Sequence, residues 1–221
     1  MNTIADLPML RKEIRQKRRQ LPVRLQQQAG SRVAQQLVRC VQFKHSNKVG
    51  LYLSAFGEVP TQWIMQYCFK YHKQVYLPKI RNIDQKLVWV KVTRQQWLNK
   101  RFAPHRLGMQ EPRQRGIGIN QLDLVIMPLL MFNLQGTRVG MGGGYYDRTL
   151  WKKNLPFRLG LAYEFQRVDD IQRQPWDQSL HAVLTPHDFY QFKSTNAAIS
   201  PFFVNKCCLK SEPFASKEQT R

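Results

Sequence analysis

The segment LDLVIM (Leu122–Met127), stopped by Pro128 and followed by Gly136, Gly140 and Gly142-Gly143-Gly144 ahead of Tyr145, constrains this chain more than any other feature. A short apolar run bounded by proline reads as a strand buried on both faces. Such a strand needs cover on two sides, so the chain must build layers. Leu7, Leu10 and Ile14 recur at spacings of three and four, which predicts a helix over Leu7–Gln20 with Arg11, Arg15, Arg18 and Arg19 on the rest of its surface. Pro22 breaks the register, and a second helix is expected from Val23 to about Val41. Further strands are expected at Lys48–Leu53, at Gln74–Leu77 (stopped by Pro78), at Lys86–Val92 nearer an edge, at Arg158–Tyr163 and at Ala182–Thr185. A helix over Thr61–Lys73 with Ile64, Met65, Cys68 and Tyr71 inward, and a short one over Tyr145–Lys152, complete the pattern. Strands alternating with helices imply an α/β fold, a largely parallel sheet covered on both faces.

The 221 residues are enough for one sizeable domain, or two tight ones. Residues 1–190 are expected to form the domain. From about Gln191 periodicity is lost, and 191–221 reads as a flexible C-terminal extension. No apolar stretch approaches the roughly 20 residues that cross a membrane, and none follows the basic N-terminal segment. A cytoplasmic protein with no membrane partner is expected. Cys40, Cys68, Cys207 and Cys208 form no CxxC pair and no zinc spacing with the histidines, which fits free thiols. The net charge of +21 attracts polyanions at long range: nucleic acid, nucleotides and polyglutamylated ligands all qualify. The basic face of the first helix is open to two readings, a solvated surface or a phosphate-facing one.

The block Asn133 to Arg148 carries the chemistry. Its glycines permit positive φ and let backbone N–H groups converge on an anion. The helix that follows adds partial positive charge, and Arg138 and Arg148 flank the turn. The GxxxxGK[ST] loop is absent, and Tyr145 stands where GxGxxG needs its third glycine. Three consecutive glycines cost roughly 0.5–1 kcal/mol each against alanine. A plain tight connection needs fewer, so close approach to a ligand is the sharper reading. Asp147 either stabilises the first helical turn or binds Mg²⁺ beside phosphate. Asp177, in QPWDQS, is either a second metal carboxylate or a turn cap.

The run LDLVIMPLLMFNLQGTRVGMGGGYYDRTL resembles the signature of the 5-formyltetrahydrofolate cyclo-ligases, the methenyltetrahydrofolate synthetases. LRKEIRQKRRQL, GLYLSAFGEVPT, QVYLPK, Gln110-Glu111-Pro112, LGLAYEFQ and WDQSLHAVLTP follow in family order, so the resemblance spans roughly Leu7 to Pro186. It implies a three-layer, Rossmann-like single domain, and an enzyme that uses ATP and Mg²⁺ to convert 5-formyltetrahydrofolate to 5,10-methenyltetrahydrofolate. The formyl oxygen is phosphorylated, N10 attacks, and ADP and phosphate leave. By position, Arg11, with Arg15 nearby, would meet ATP phosphates. Arg138, Val139, Gly140, Met141, Gly142, Gly143, Gly144, Tyr145 and Tyr146 would hold ATP. Leu53 and Glu58, with Met141 to Tyr145, would line the folate pocket. Asp147 and Asp177 would bind magnesium. Arg138, Tyr145 and Asp147 are the catalytic candidates. Leu7 and Gly143 stand where many or some members carry lysine. The expected partner is the folate, with or without a polyglutamate tail, and a monomer is expected.

Two rivals come from other classes. A basic RNA-binding protein would explain the charge, but no RNP-type aromatic strand and no GXXG clamp accompanies it. A different enzyme, or an inactive relative, on a similar sheet is separated from the first reading by the Gly140–Asp147 block together with Glu58.

Overall fold

The computed structural model describes residues 7–105, 107–151 and 155–192. In chain order the elements are α1 (Leu7–Gln20), α2 (Val23–Leu37), α3 (Val41–His45), β1 (Lys48–Gly50), α4 (Gln62–Lys70), β2 (Gln74–Arg81), β3 (Lys86–Val92) and α5 (Arg94–Leu98). Then come β4 (Ala103–Pro104), β5 (Gln110–Glu111), β6 (Leu124–Pro128), β7 (Met131–Phe132), β8 (Arg138–Val139), α6 (Tyr145–Leu150), β9 (Phe157–Leu161), β10 (Ala182–Leu184) and β11 (Phe189–Gln191).

Seven strands form one sheet in the order β11-β10-β9-β6-β1-β2-β3. The five inner strands pair in parallel, and β3 and β11 close the edges in antiparallel fashion. β6 is the middle strand, and its alternation explains the layers. Leu124 and Ile126 pack with Ala34, Leu37, Ile64 and Met65 of α2 and α4 on one face. Val125 and Met127 pack with Trp89, Leu150 and Val183 on the other. The Asp123 carboxylate accepts the N–H groups of Asn47 and Lys48, both at 2.8 Å, and so locks β1 beside β6.

α1 leaves this two-sided core. Its Ile14 packs with Leu130, Met131 and Val139, so the helix lies against the chain just beyond the carboxyl end of β6. From β1 the chain moves to β2 on one side, and from β6 to β9 and β10 on the other. The β1/β6 boundary is therefore a topological switch point, where the loops beyond the strand ends part and leave a crevice.

Several expectations change. α2 ends at Leu37, and α3 begins after Cys40, whose extended backbone redirects the chain so that Phe43 is buried. β1 proper stops at Gly50, although Leu51 N–H still reaches Tyr76 O at 2.8 Å. Tyr71 lies just past the end of α4 and is 50% exposed, not inward. Pro78 does not stop β2. Pairing with β1 has ended at Tyr76, so Pro78 has only β3 to satisfy and sits opposite Trp89. Arg18 belongs to the interior, not the surface: it is 1% exposed. The hairpins β4–β5 and β7–β8, the helix α5 and the edge strand β11 are additional to the expected elements. The expected extension lies, from 193 onward, outside the described residues.

Candidate active site

A cavity of about 540 Å³ opens at the switch point, within the range of small-molecule sites. Its floor is the strand ends: Tyr52 and Leu53 after β1, Leu77 and Pro78 of β2, and Pro128 of β6. One wall is apolar, made by Ile80, Leu87, Leu107 and Met109. Facing it are Arg15 and Arg19 of α1 and the glycine turn with Arg138, Tyr145, Tyr146 and Asp147.

Glu58 enters from the loop after β1. Gly57, at φ +75°, makes the turn, and a Cβ there would stand 2.4 Å from the Arg18 carbonyl oxygen. The loop therefore sits directly on the α1 backbone. Glu58 Oε2 accepts the Ala55 N–H at 3.1 Å, and Oε1 lies 4.0 Å from an Arg18 guanidinium nitrogen. Burial pushes the carboxyl up to about 7, with the Ala55 N–H and Arg18 opposing that rise. Tyr52 is buried below it, its hydroxyl donating to Val59 O at 2.9 Å.

The glycine turn runs from β8 into α6. Gly142 (φ +104°) and Gly144 (φ +63°) take the left-handed backbone that side chains avoid. Space beside Gly140 and Gly142 is open: a Cβ would meet nothing within 4 Å. Arg148 donates to Gly143 O at 2.6 Å and Gln85 O at 3.2 Å, and Arg15 donates to Met141 O at 3.0 Å. The carbonyls are thus tied back by guanidinium groups. α6 has only six residues, so the N–H groups and arginines, rather than a long helix dipole, make this turn cationic.

Arg138 and Asp147 form a part-buried ion pair at 2.6 Å. Arg138 also donates to Gln178 O, and Asp147 Oδ1 accepts the Gln178 N–H at 3.4 Å. Among the described residues Asp147 Oδ2 has no hydrogen-bond partner, which leaves it for a cation. Asp177 directly precedes Gln178 in sequence, but its Oδ2 caps the turn by accepting the Gln174 N–H at 2.9 Å, and it does not line the cavity. Among the described residues no three metal-binding side chains cluster. One or two carboxylates with phosphate and water suit Mg²⁺, and an open glycine cradle edged by arginines suits a polyphosphate. The residues fit both groups.

The structure thus brings together Leu53, Glu58, Arg15, Arg138, Gly140, Met141, Gly143, Gly144, Tyr145, Tyr146 and Asp147 around one space. Gly142 is not among its lining residues. Arg11 is not at the cavity wall, although its Nε is buried without a partner, as is that of Arg15. Val139 faces the α1 core, and its carbonyl accepts the Leu130 N–H. Tyr146 packs edge-on against Trp89 at 6.5 Å and burial holds its phenol neutral, whereas Tyr145 lies under the Arg148 guanidinium at 5.2 Å. Two contributors were missed. The apolar wall is assembled from residues far apart in sequence, so no local signal marks it. Arg18 did carry one: it lies four residues after Ile14, on the apolar stripe itself.

The model of the 5-formyltetrahydrofolate cyclo-ligase family matches residues 4–186. The 5-formyltetrahydrofolate cyclo-ligase of Haemophilus influenzae is 32% identical over 186 residues, covering 79% of this chain and 95% of its own. That of Escherichia coli K12 is 32% identical over 185 residues, covering 81% and 100%. Among solved structures, the 5,10-methenyltetrahydrofolate synthetase of Aquifex aeolicus has a TM-score of 0.71 at 26% identity, covering 90% of this chain and 98% of its own. That of Mycoplasma pneumoniae shares the fold at TM-score 0.66 and 23% identity, covering 82% and 99%. With its glycine turn and Glu58 on one cavity and the family match running through both, this chain belongs to the 5-formyltetrahydrofolate cyclo-ligase family.

Proposed function

We propose that the chain converts 5-formyltetrahydrofolate to 5,10-methenyltetrahydrofolate with consumption of ATP in the presence of Mg²⁺. The observation that carries this reading is the single cavity in which Glu58 and the Gly140–Asp147 turn face one another. ATP supplies the phosphoryl group that makes the formyl oxygen a leaving group, and Mg²⁺ offsets the phosphate charge.

The protein's own work is positioning and charge placement. Arg138 and the open N–H groups of Gly140 to Gly144 hold phosphate oxygens. Asp147 would hold the metal through Oδ2, while Arg138 on Oδ1 fixes the carboxylate. Asp177, whose Oδ2 already caps the turn, would be the second metal carboxylate. Glu58 accepts N–H groups of the pterin edge, and ring donors there favour its ionised form. The apolar wall of Ile80, Leu87, Leu107 and Met109 covers the flat body of the ligand and keeps water from the reacting carbon. Tyr145, which lines the cavity with Arg148 over its ring, is the tyrosine proposed to contact the substrate, whereas Tyr146 packs on Trp89. Arg15, which holds the Met141 carbonyl of the glycine turn, stays with the ATP phosphates, and Arg19 on the same helix suits the carboxylates of the glutamate tail, single or multiple. The protein acts as a cytoplasmic monomer.

The test is spectrophotometric. Purified protein with 5-formyltetrahydrofolate, ATP and Mg²⁺ should generate the near-ultraviolet absorbance of the methenyl product, and omission of any one component should abolish it. Protein that binds neither small molecule in calorimetry with Mg²⁺ present refutes the reading.

A further inference from the structure

The folate reading leaves Arg18 of α1 without a role. Its guanidinium donates to Leu129 O at 3.3 Å and to Phe56 O at 3.2 Å, and approaches Met141 Sδ at 3.7 Å. It lies 4.0 Å from Glu58 Oε1, and its Nε has no partner. One buried side chain therefore touches the chain beyond β6, the loop that carries Glu58, and the glycine turn. A cation this deep is not retained without compensation. Only a planar fork reaches two carbonyls on separate segments while facing a carboxylate; a lysine ammonium is a single point.

The other groups that face Glu58 are Tyr52 after β1, Tyr146 of α6 and Tyr163 after β9, all phenols held neutral by burial. The Tyr163 hydroxyl is buried without a partner. Arg15 faces Arg18, and Arg138 faces Asp147 and Tyr146. Arg18 is thus the cation that acts on Glu58 among the described residues.

We propose that Arg18 is the positioning residue of this site, the buried counter-charge that aims Glu58 into the cavity and ties its loop to the Met141 turn at a fixed spacing. The kinetic part rests on the folate reading; the titration does not. An opposite charge at this range lowers a carboxyl midpoint by about 1–3 pH units, so its loss raises the midpoint.

Glu58 is titrated by carboxyl ¹³C NMR in the ligand-free wild type, R18M and R18K, with E58Q assigning the resonance. The midpoint is expected at least about one pH unit higher in R18M and within about half a unit of wild type in R18K. In R18K the charge stays but the fork is lost, so KM for 5-formyltetrahydrofolate should rise about ten-fold while kcat stays within about two-fold. A merely structural role would lower thermal stability and leave the Glu58 midpoint in place. An unmoved midpoint in R18M overturns the proposal. If R18M yields no folded protein, R18K with wild-type KM overturns it. Wild type without turnover sinks the folate reading, and the titration still decides the role of Arg18.

Discussion

Glu58→Gln should make the ligand-free protein more stable at neutral pH while removing folate binding. The carboxyl has an ordinary value of 4.5 and is pushed up to about 7 in the folded chain, chiefly by burial. Below 4.5 it is neutral in both folded and unfolded states, and the folded state keeps its full preference. As pH rises through 4.5 the unfolded carboxyl ionises first, and stability falls until the folded group follows near 7. The gap of 2.5 (7 − 4.5), at about 1.4 kcal/mol for each pH unit, comes to roughly 3 kcal/mol. Glutamine cannot ionise and escapes this loss. The stability of E58Q minus wild type should therefore grow by roughly 3 kcal/mol between pH 4.5 and 8, or about 6–12 °C in melting temperature for a chain of this size. Urea titrations of both proteins at the two pH values measure it. Taking the difference removes His181, whose burial pushes it down to about 4 and which loses stability in the opposite sense as pH falls from 6.5. A difference equal at both pH values refutes the reasoning. A stabilised variant that cannot bind folate would show a carboxylate kept in an unfavourable place for its chemistry.

Three further outcomes are expected. Asp147→Asn leaves Arg138 without its anion and should cost about 1–3 kcal/mol of stability and about a hundred-fold or more in turnover; unchanged Mg²⁺-dependent rates would remove Asp147 from the metal site. Gly144→Ala forces a side chain to φ +63° and sets its Cβ 2.7 Å from Arg148 Nη1, so thermal melts should show a loss of about 1–2 kcal/mol, with a raised KM for ATP as Arg148 leaves Gly143. His181→Gln should blunt acid denaturation: its gap to wild type changes by up to about 3 kcal/mol as pH falls from 6.5 to 4, because the buried imidazole, whose Nδ1 accepts the Arg158 N–H, must no longer take a proton on unfolding.

Where burial was two-sided, the sequence was readable. Leu124–Met127 and Ala182–Leu184 are buried throughout; the second lies wholly within its expected run, while β6 starts two residues later than expected and takes in Pro128 as its last paired residue. What failed depended on a neighbour. Pro78 breaks a strand only if a partner needs its N–H, and nothing local says that β1 stops pairing at Tyr76. The two-residue strands of β4–β5 and β7–β8 are too short to carry any period. The glycine turn and Glu58 could be named from family resemblance, yet the wall of Ile80, Leu87, Leu107 and Met109 could not, because it exists only once β2, β3 and the β4–β5 hairpin meet.

Arg18 is the instructive error. Leu7, Leu10, Ile14 and Arg18 form one stripe at helical spacing, although residue type alone places an arginine on the surface. Position decided the outcome: the stripe that packs α1 against Leu130, Met131 and Val139 also delivers the guanidinium to Phe56 O and Leu129 O. A cation on an apolar stripe is costly unless something inside needs it. Here the need has a name, since burial pushes the Glu58 carboxyl up to about 7 even with Arg18 beside it, and Arg18 opposes that rise. The same spacing that says where α1 packs thus says which of its arginines belongs to the site.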